Sequence, residues 1–230
     1  MVTLGIDTAT SLGSVGIAKD GDLAGELSFS AKMSQAERLL PTIDDLLNLL
    51  AFDRREIEKV AVSLGPGSFT GLRIGISVAK GLCHGLEVPL TGIPLTDSYH
   101  ERVAHYRGPI CTIIADRRDL VYYALYRKGE KARVEKSDHL SNLKEELKET
   151  ARAAGEKVLL IGDGLTRHGS ELQGIKEAIL AEHSLNYPSG AQLALQAELQ
   201  EDEGDQLRKI EPLYAQRPVA EINFEKRNST

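Results

Sequence analysis

Apolar and polar residues alternate along three short stretches at the start of the chain, Val2 to Ile6, Ser14 to Ala18 and Leu23 to Ser28. Each is bounded by turn chemistry, at Thr10-Ser11-Leu12-Gly13 and Asp20-Gly21-Asp22, so the pattern predicts an antiparallel meander of three strands. The period then changes. Ala36, Leu39, Leu40, Ile43, Leu46, Leu47 and Leu50 recur at i, i+3, i+4 and i+7, which predicts a helix capped by Ser34. Pro41 lies inside that helix without an N–H to give the Glu37 carbonyl, so a kink is expected there. Lys59 to Leu64 reads as a buried strand and Thr70 to Leu86 as a second helix. Because a helix intervenes, the fourth strand can lie parallel to the first.

Meander, helix, strand, helix is the order of a ribonuclease H-like lobe, and the second half repeats it faintly. Ile113-Ile114-Ala115-Asp116 echoes Leu4-Gly5-Ile6-Asp7, each ending a strand on Asp before a turn. A strand at Val121 to Tyr126, another around Ala132 to Glu135, a helix from Ser141 to Ala154 on Leu140, Leu143 and Leu147, and a strand at Lys157 to Ile161 complete a second lobe. Beyond Gly162-Asp163-Gly164 helices are expected at Gly174 to His183 and Ala191 to Leu199, and the acidic stretch Glu201-Asp202-Glu203 reads as a solvated turn. Two related lobes in one chain predict an α/β protein of the actin-like (ASKHA) fold, with mixed sheets and flanking helices. The lobes are placed at residues 1–106 and 107–220, with a tail at 221–230.

Composition narrows the chemistry more than the fold. At 41% hydrophobic and 27% charged residues the 230-residue chain has an ordinary globular make-up. A net charge of −6 without a Lys/Arg-rich run argues against a broad groove for a phosphate backbone, so any nucleic acid would be held through a partner. Cys83 and Cys111 have no CxxC spacing and suit two buried structural thiols in a reducing compartment. The first residues enter a strand pattern directly and no apolar run is long enough for a membrane span, so a cytoplasmic location away from membranes is expected.

Ser63-Leu64-Gly65-Pro66-Gly67-Ser68-Phe69-Thr70-Gly71 is a strand, a glycine turn and a helix start, an arrangement whose free N–H groups welcome anions. It is not a Walker A loop, since Leu72-Arg73 follow Gly71 in place of Lys and Ser/Thr, and its glycines miss the dinucleotide spacing. Two readings stay open. Asp7, Thr8, Gly65, Gly67 and Ser68 could be a vestigial phosphate region, or the turn could merely redirect the chain with Ser68 or Thr70 as cap. The helix behind it contains Gly71, Gly75, Gly81 and Gly85, each costing about 1 kcal/mol relative to Ala, so something offsets that cost. Gly71, Gly75, Val78, Ala79 and Leu82 share one face, inviting close approach of another backbone, either a partner's helix or the lobe's own elements.

Ile6-Asp7-Thr8-Ala9-Thr10, Arg38-Leu39-Leu40-Pro41, the segment Gly65 to Gly75 and Pro212-Leu213-Tyr214 together resemble the bacterial TsaB (YeaZ) family. The resemblance implies a non-catalytic relative of TsaD that supports N6-threonylcarbamoyladenosine formation at position 37 of tRNA. It further implies a heterodimer with TsaD through the first two helices, recruitment of the ATPase TsaE, no cofactor of its own, and self-pairing when the partner is absent. Carried onto this sequence, the pairing surface would use Gln35, Arg38, Thr42 and Asp45 with Gly71, Arg73, Gly75, Val78, Ala79 and Leu82. The HxxxH metal motif of the catalytic relative has no counterpart, because His100 and His105 are five apart. Asp7 and Asp116 end matching strands where actin-like kinases place catalytic or magnesium carboxylates, which keeps an autonomous ATPase or kinase as the alternative, with a metallopeptidase a remoter one.

Overall fold

A computed structural model describes residues 1–30, 35–116, 119–127, 133–134, 137–200, 207 and 209–213. The expected Ser34 cap, Ala132 and Glu135 of the strand expected around Ala132 to Glu135, the acidic stretch 201–203, Tyr214 and the tail lie outside the described residues.

The first half forms β1 (Val2–Asp7), β2 (Leu12–Lys19), β3 (Asp22–Ser30), α1 (Gln35–Leu49), β4 (Lys59–Ser63), α2 (Phe69–Leu86), β5 (Leu90–Ile93) and α3 (Leu95–Glu101). Its sheet has the order β3-β2-β1-β4-β5, with β1 antiparallel to β2 and parallel to β4. The second half forms β6 (Ile110–Ala115), β7 (Leu120–Tyr126), β8 (Arg133–Val134), β9 (Asp138–His139), α4 (Leu140–Ala154), β10 (Val158–Ile161), α5 (Gly164–Leu172), β11 (Ala178–Leu180) and α6 (Gly190–Glu198). Its sheet runs β8-β7-β6-β10-β11, with β9 also pairing β7. Here β6 is antiparallel to β7 and parallel to β10. The two sheets therefore repeat one topology, a hairpin partner on one side of the first strand and a parallel, helix-linked strand on the other, which is the duplicated architecture of the actin-like fold.

Local chemistry accounts for the element ends. Ser68 caps α2 by accepting from the Gly71 N–H at 3.2 Å, and Glu87 closes it in the left-handed conformation. Gly155 ends α4 with φ of 67°, a value that glycine adopts without strain. Helix α1 runs through the exposed Pro41, and the Thr42 hydroxyl donates to the Arg38 carbonyl at 2.8 Å. The helix expected at Gly174 to His183 is instead a turn followed by β11. Ile175 and Ala178 fit helical spacing, yet Ile175 seals the core under α5 while Ala178 to Leu180 pair with β10 at the sheet edge. Periodicity over so short an apolar run does not separate the two states.

Aliphatic side chains of β1, β2, β4, α1 and α2 form one core and those of β6, β7, β10, α4 and α5 a second. Full burial of each Leu or Ile contributes about 1.5–3 kcal/mol. A third cluster joins the halves, bringing Ala9, Leu72, Leu95 and Tyr99 against Ile114, Tyr122 and Ile161. The chain then returns. Helix α6, which follows the second sheet in sequence, packs on β1, β2 and β4 of the first. Glycines make that seat: a Cβ on Gly5 would meet the Gly190 carbonyl oxygen at 1.8 Å, and one on Gly16 the Ala191 nitrogen at 2.1 Å. The Gly190 N–H donates to the Ser14 hydroxyl at 3.0 Å, and the buried Lys59 ammonium donates to the Ala197 and Gln200 carbonyls.

Candidate functional site

The glycine turn meets the end of β1. Asp7 turns the chain by accepting the Ala9 N–H at 2.8 Å, and the Thr8 hydroxyl donates to the Gly71 carbonyl at 2.7 Å. The Ala9 carbonyl in turn accepts the Ser68 N–H at 2.7 Å. Gly67, Gly71 and Gly75 admit this turn: an added Cβ would meet the Ala9 carbonyl oxygen at 2.2 Å, the Thr8 carbonyl oxygen at 2.1 Å and the Thr8 hydroxyl at 2.2 Å respectively. The close backbone approach expected of Gly71 and Gly75 is thus made within the chain, and the cost of these glycines in a helix is offset by packing against Thr8. Of the expected phosphate region, Asp7, Thr8, Gly67 and Ser68 are drawn together, with Ser68 N–H and Gly71 N–H both bonded to protein. Gly65, at φ of 87°, joins a cis peptide to Pro66 and accepts from the Leu95 N–H at 2.7 Å, which ties the turn to α3.

The residues expected at a partner surface divide by exposure. Gln35 is buried and its amide donates to the Thr8 and Thr10 carbonyls, Gly71 and Gly75 face inward, and Ala79 is wholly buried, so these four are interior groups. Val78 and Leu82 are half-buried against the first core. Arg38 and Asp45 are exposed on α1 with Thr42 half-buried beside them, and Arg73 is exposed on α2 with its guanidinium 3.9 Å from the centre of the Phe69 ring. Sequence reasoning left out Gly81 and Gly85 as surface groups. Both are exposed, with nothing within 4 Å of an added Cβ, so no packing among the described residues offsets their cost to the helix. Leu40, exposed by 46%, and Phe69, by 39%, add apolar surface to the same two helices.

A second cluster lies where the two sheets meet. Asp7 is fully buried; its Oδ1 takes the Ala9 N–H while Oδ2 has no hydrogen-bond partner. Burial pushes its carboxyl up to about 7, the Ala9 N–H opposes the shift, and the charge of Glu26 adds to it. Asp163, just past β10, accepts the Ala115 N–H at 3.1 Å and is likewise pushed up to about 7 by burial, with the negative charge of Asp7 contributing. Tyr99 lies near both, and burial, then Asp163 and Asp7, raise its phenol well above the ordinary value. The expected counterpart of Asp7, Asp116, takes another role: its carboxylate accepts the Ser137 hydroxyl at 3.2 Å and its carbonyl accepts from Arg167. Glycines flanking Asp163 were the one available signal for it, and Gly162, at φ of 123°, packs so closely that a Cβ would meet the Ile113 carbonyl oxygen at 2.2 Å.

The remaining candidates are structural. Cys83 and Cys111 are buried and unbridged, burial pushing the Cys83 thiol up to about 12 and Cys111 higher. His100 stacks on Tyr126 at 4.0 Å between ring centres, and burial lowers its pKa; His105 is exposed. Among the described residues no three His, Cys, Asp or Glu side chains are arranged to hold a metal ion, and no helix is long and apolar enough to cross a membrane.

The sequence model of the family described as "TsaD: tRNA N6-adenosine threonylcarbamoyltransferase" matches residues 30–224. The tRNA threonylcarbamoyladenosine biosynthesis protein TsaB of Bacillus subtilis is 30% identical over 127 residues, 55% of this chain and 56% of that one. Its Escherichia coli namesake is 33% identical over 132 residues, 56% of this chain and 57% of that protein. The aligned part of the chain thus spans little more than half the length of these relatives. A solved Pseudomonas aeruginosa protein, described as similar to peptidase YEAZ, superposes with a TM-score of 0.71 at 22% identity over 94% of this chain and 99% of that one, a likeness of fold. The chain belongs to the TsaD threonylcarbamoyltransferase family and, within it, to the TsaB (YeaZ) branch.

Proposed function

We propose that the chain is a non-catalytic subunit in the formation of N6-threonylcarbamoyladenosine at position 37 of tRNA, pairing with TsaD through the outward faces of α1 and α2, with TsaE joining the pair. Its lobes are taken as residues 1–106 and 107–220, α6 being the element of the second that docks on the sheet of the first. The observation that carries the reading is the outer side of α2. Gly81 and Gly85, four apart, leave the helix backbone uncovered, beside the exposed Arg73 and the half-buried Val78 and Leu82. Helix interiors tolerate such glycines poorly unless a neighbour approaches, and among the described residues none does. In the absence of TsaD the same face would pair with a second copy. At the glycine turn, the N–H groups of Ser68 and Gly71 are bonded to protein, which weighs against the autonomous ATPase reading.

Gly81→Arg is the suitable probe, since the added side chain enters open space, whereas Gly75→Arg would collide with Thr8. The variant is expected to fold as well as the parent and to lose co-elution with TsaD on size-exclusion chromatography. Unchanged co-elution would remove α2 from the interface. Reconstituted tRNA modification with TsaD, TsaE and the threonylcarbamoyl donor is expected to need this chain and to fall with Gly81→Arg. Modified tRNA made by this chain alone would overturn the subunit reading.

A further inference from the structure

The chain passes between the two halves twice, once from α3 to β6 through residues 102–109 and once from β11 to α6 through residues 181–189. Relative motion is the default for two lobes joined by such connections, and it works through dihedral changes in a few connecting residues. Here both connections are packed. Val103 and Tyr106 of the first and Leu185 of the second join Leu95 and Ile161 in the apolar cluster shared by the halves.

Hydrogen bonds then tie one connection to the other. Arg102, the residue after α3, is half-buried and donates from its guanidinium to the Leu185 and Tyr187 carbonyls at 2.9 and 2.6 Å. Between them the Asn186 carbonyl accepts the hydroxyl of Tyr99, a buried residue of α3, at 3.3 Å. Three consecutive carbonyls of the second connection are thus taken by the end of α3. Asn186 also reaches the other half: it is buried, and its Oδ1 accepts the Gly162 N–H at 3.0 Å. Gly162 follows β10 and is seated against β6, where a Cβ would meet the Ile113 carbonyl oxygen at 2.2 Å. The first connection is pinned to the second half as well, the Tyr106 hydroxyl donating to the Lys157 carbonyl at 2.9 Å just before β10. Bonds from a charged donor are the stronger kind, and a buried polar group stripped of its partner is costly, so turning this hinge needs several bonds to break together.

We propose that Arg102 and Asn186 lock the hinge, so that the two halves keep one fixed orientation and the chain acts as a single rigid body. Asn186 is the shared element, bonded through its backbone to α3 and through its side chain to the turn after β10, and Arg102 holds the residues on either side of it. The lock rests on contacts within the chain and is independent of the pairing reading.

Spin labels on cysteines introduced at the exposed Ser28 of β3 and Glu149 of α4 read the orientation, since Cys83 and Cys111 are buried. Pulsed electron-spin distance measurement on the full chain, diluted with unlabelled protein, is expected to give one narrow distribution in the parent. Arg102→Met, which keeps an apolar stem without the donors, and Asn186→Ala are each expected to broaden it about twofold or more. Leu147→Ala, a core change in the second half that leaves both connections intact, is expected to lower stability and keep the narrow distribution. In Arg102→Met the Gly162 amide is expected to lose about tenfold of its hydrogen-exchange protection, because Asn186, which accepts it, is no longer held on either side. Should one of the two hinge variants fail to fold, the other carries the distance reading. A parent distribution as broad as the variants', or variants as narrow as the parent, overturns the lock. Equal broadening in Leu147→Ala overturns the assignment to these two residues, and unchanged Gly162 protection in Arg102→Met overturns the link through Asn186.

Discussion

The two halves share a strand order and differ in what they do with it. In the first, the turn after β1 is clasped: Thr8 and Ala9 lie against three glycines of the α2 segment, and α6 lies against Gly5 and Gly16. In the second, the equivalent turn after β6 bonds outward to Ser137 and Arg167, and the sheet is covered by α4 and α5 through Leu143, Leu147 and Leu172. Glycines admit backbone at both the turn after β1 and the seat of α6 in the first half, whereas in the second the close backbone approach is that of Gly162 to Ile113, beside aliphatic packing under α4 and α5. A repeated topology therefore does not carry a repeated chemistry, because the backbone contacts fall at different places in the two copies.

That contrast breaks most visibly at Gly5. Gly5→Ala directs a methyl at backbone atoms of Gly190, so a loss of about 4 kcal/mol, beyond the usual cost of overpacking, is expected in urea unfolding, with α6 displaced. A loss under 1 kcal/mol would mean that the helix seat yields.

Carboxyl chemistry should separate the halves next. Asp7 is held near 7 in the folded chain against 3.8 for an ordinary Asp, so the folded state binds the proton more tightly. Stability then falls as pH rises between these values, and the cost of the buried charge is complete above about 7. Asp7→Asn should match the parent most closely near pH 4 and exceed it at pH 8, flattening the pH 5 to 8 decline by about 3 kcal/mol. Thermal melts of Asp7→Asn and the parent at both pH values check this.

Within α2 the same comparison recurs on a smaller scale. Gly75→Ala puts a methyl against the Thr8 hydroxyl and should cost about 2 kcal/mol, the side chain being able to move where backbone cannot. Gly81→Ala, in open space, should stabilise the isolated chain by about 1 kcal/mol through helix propensity. Equal effects at the two positions would remove the distinction between inward and outward glycines.

Much of the fold was legible because it is periodic. Alternation set β1 and β2, i, i+3, i+4 spacing set α1 and α4, and the match of Leu4 to Asp7 with Ile113 to Asp116 announced the duplication. The short elements β5, α3, α5 and β11 were missed or misread, being too brief for periodicity to separate from noise. At the site, the spacing of Gly71 and Gly75 correctly demanded a close neighbour without naming it. That neighbour is Thr8, more than sixty residues earlier, bonded to the Gly71 carbonyl.

The sequence by itself determined the order of the longer strands and helices, a helix cap at Ser68 or Thr70, the absence of a Walker lysine and the chain's likeness to its family, since each depends on residues adjacent in the chain or one helical turn apart. Tertiary structure alone decided which glycines face inward, that α6 crosses back to the first sheet, and that Asp163 accepts the Ala115 N–H while Asp116 accepts the Ser137 hydroxyl. Those outcomes depend on where separate segments meet, and the meeting is set by the parallel pairing of strands and the shared core between the halves, which no local pattern encodes.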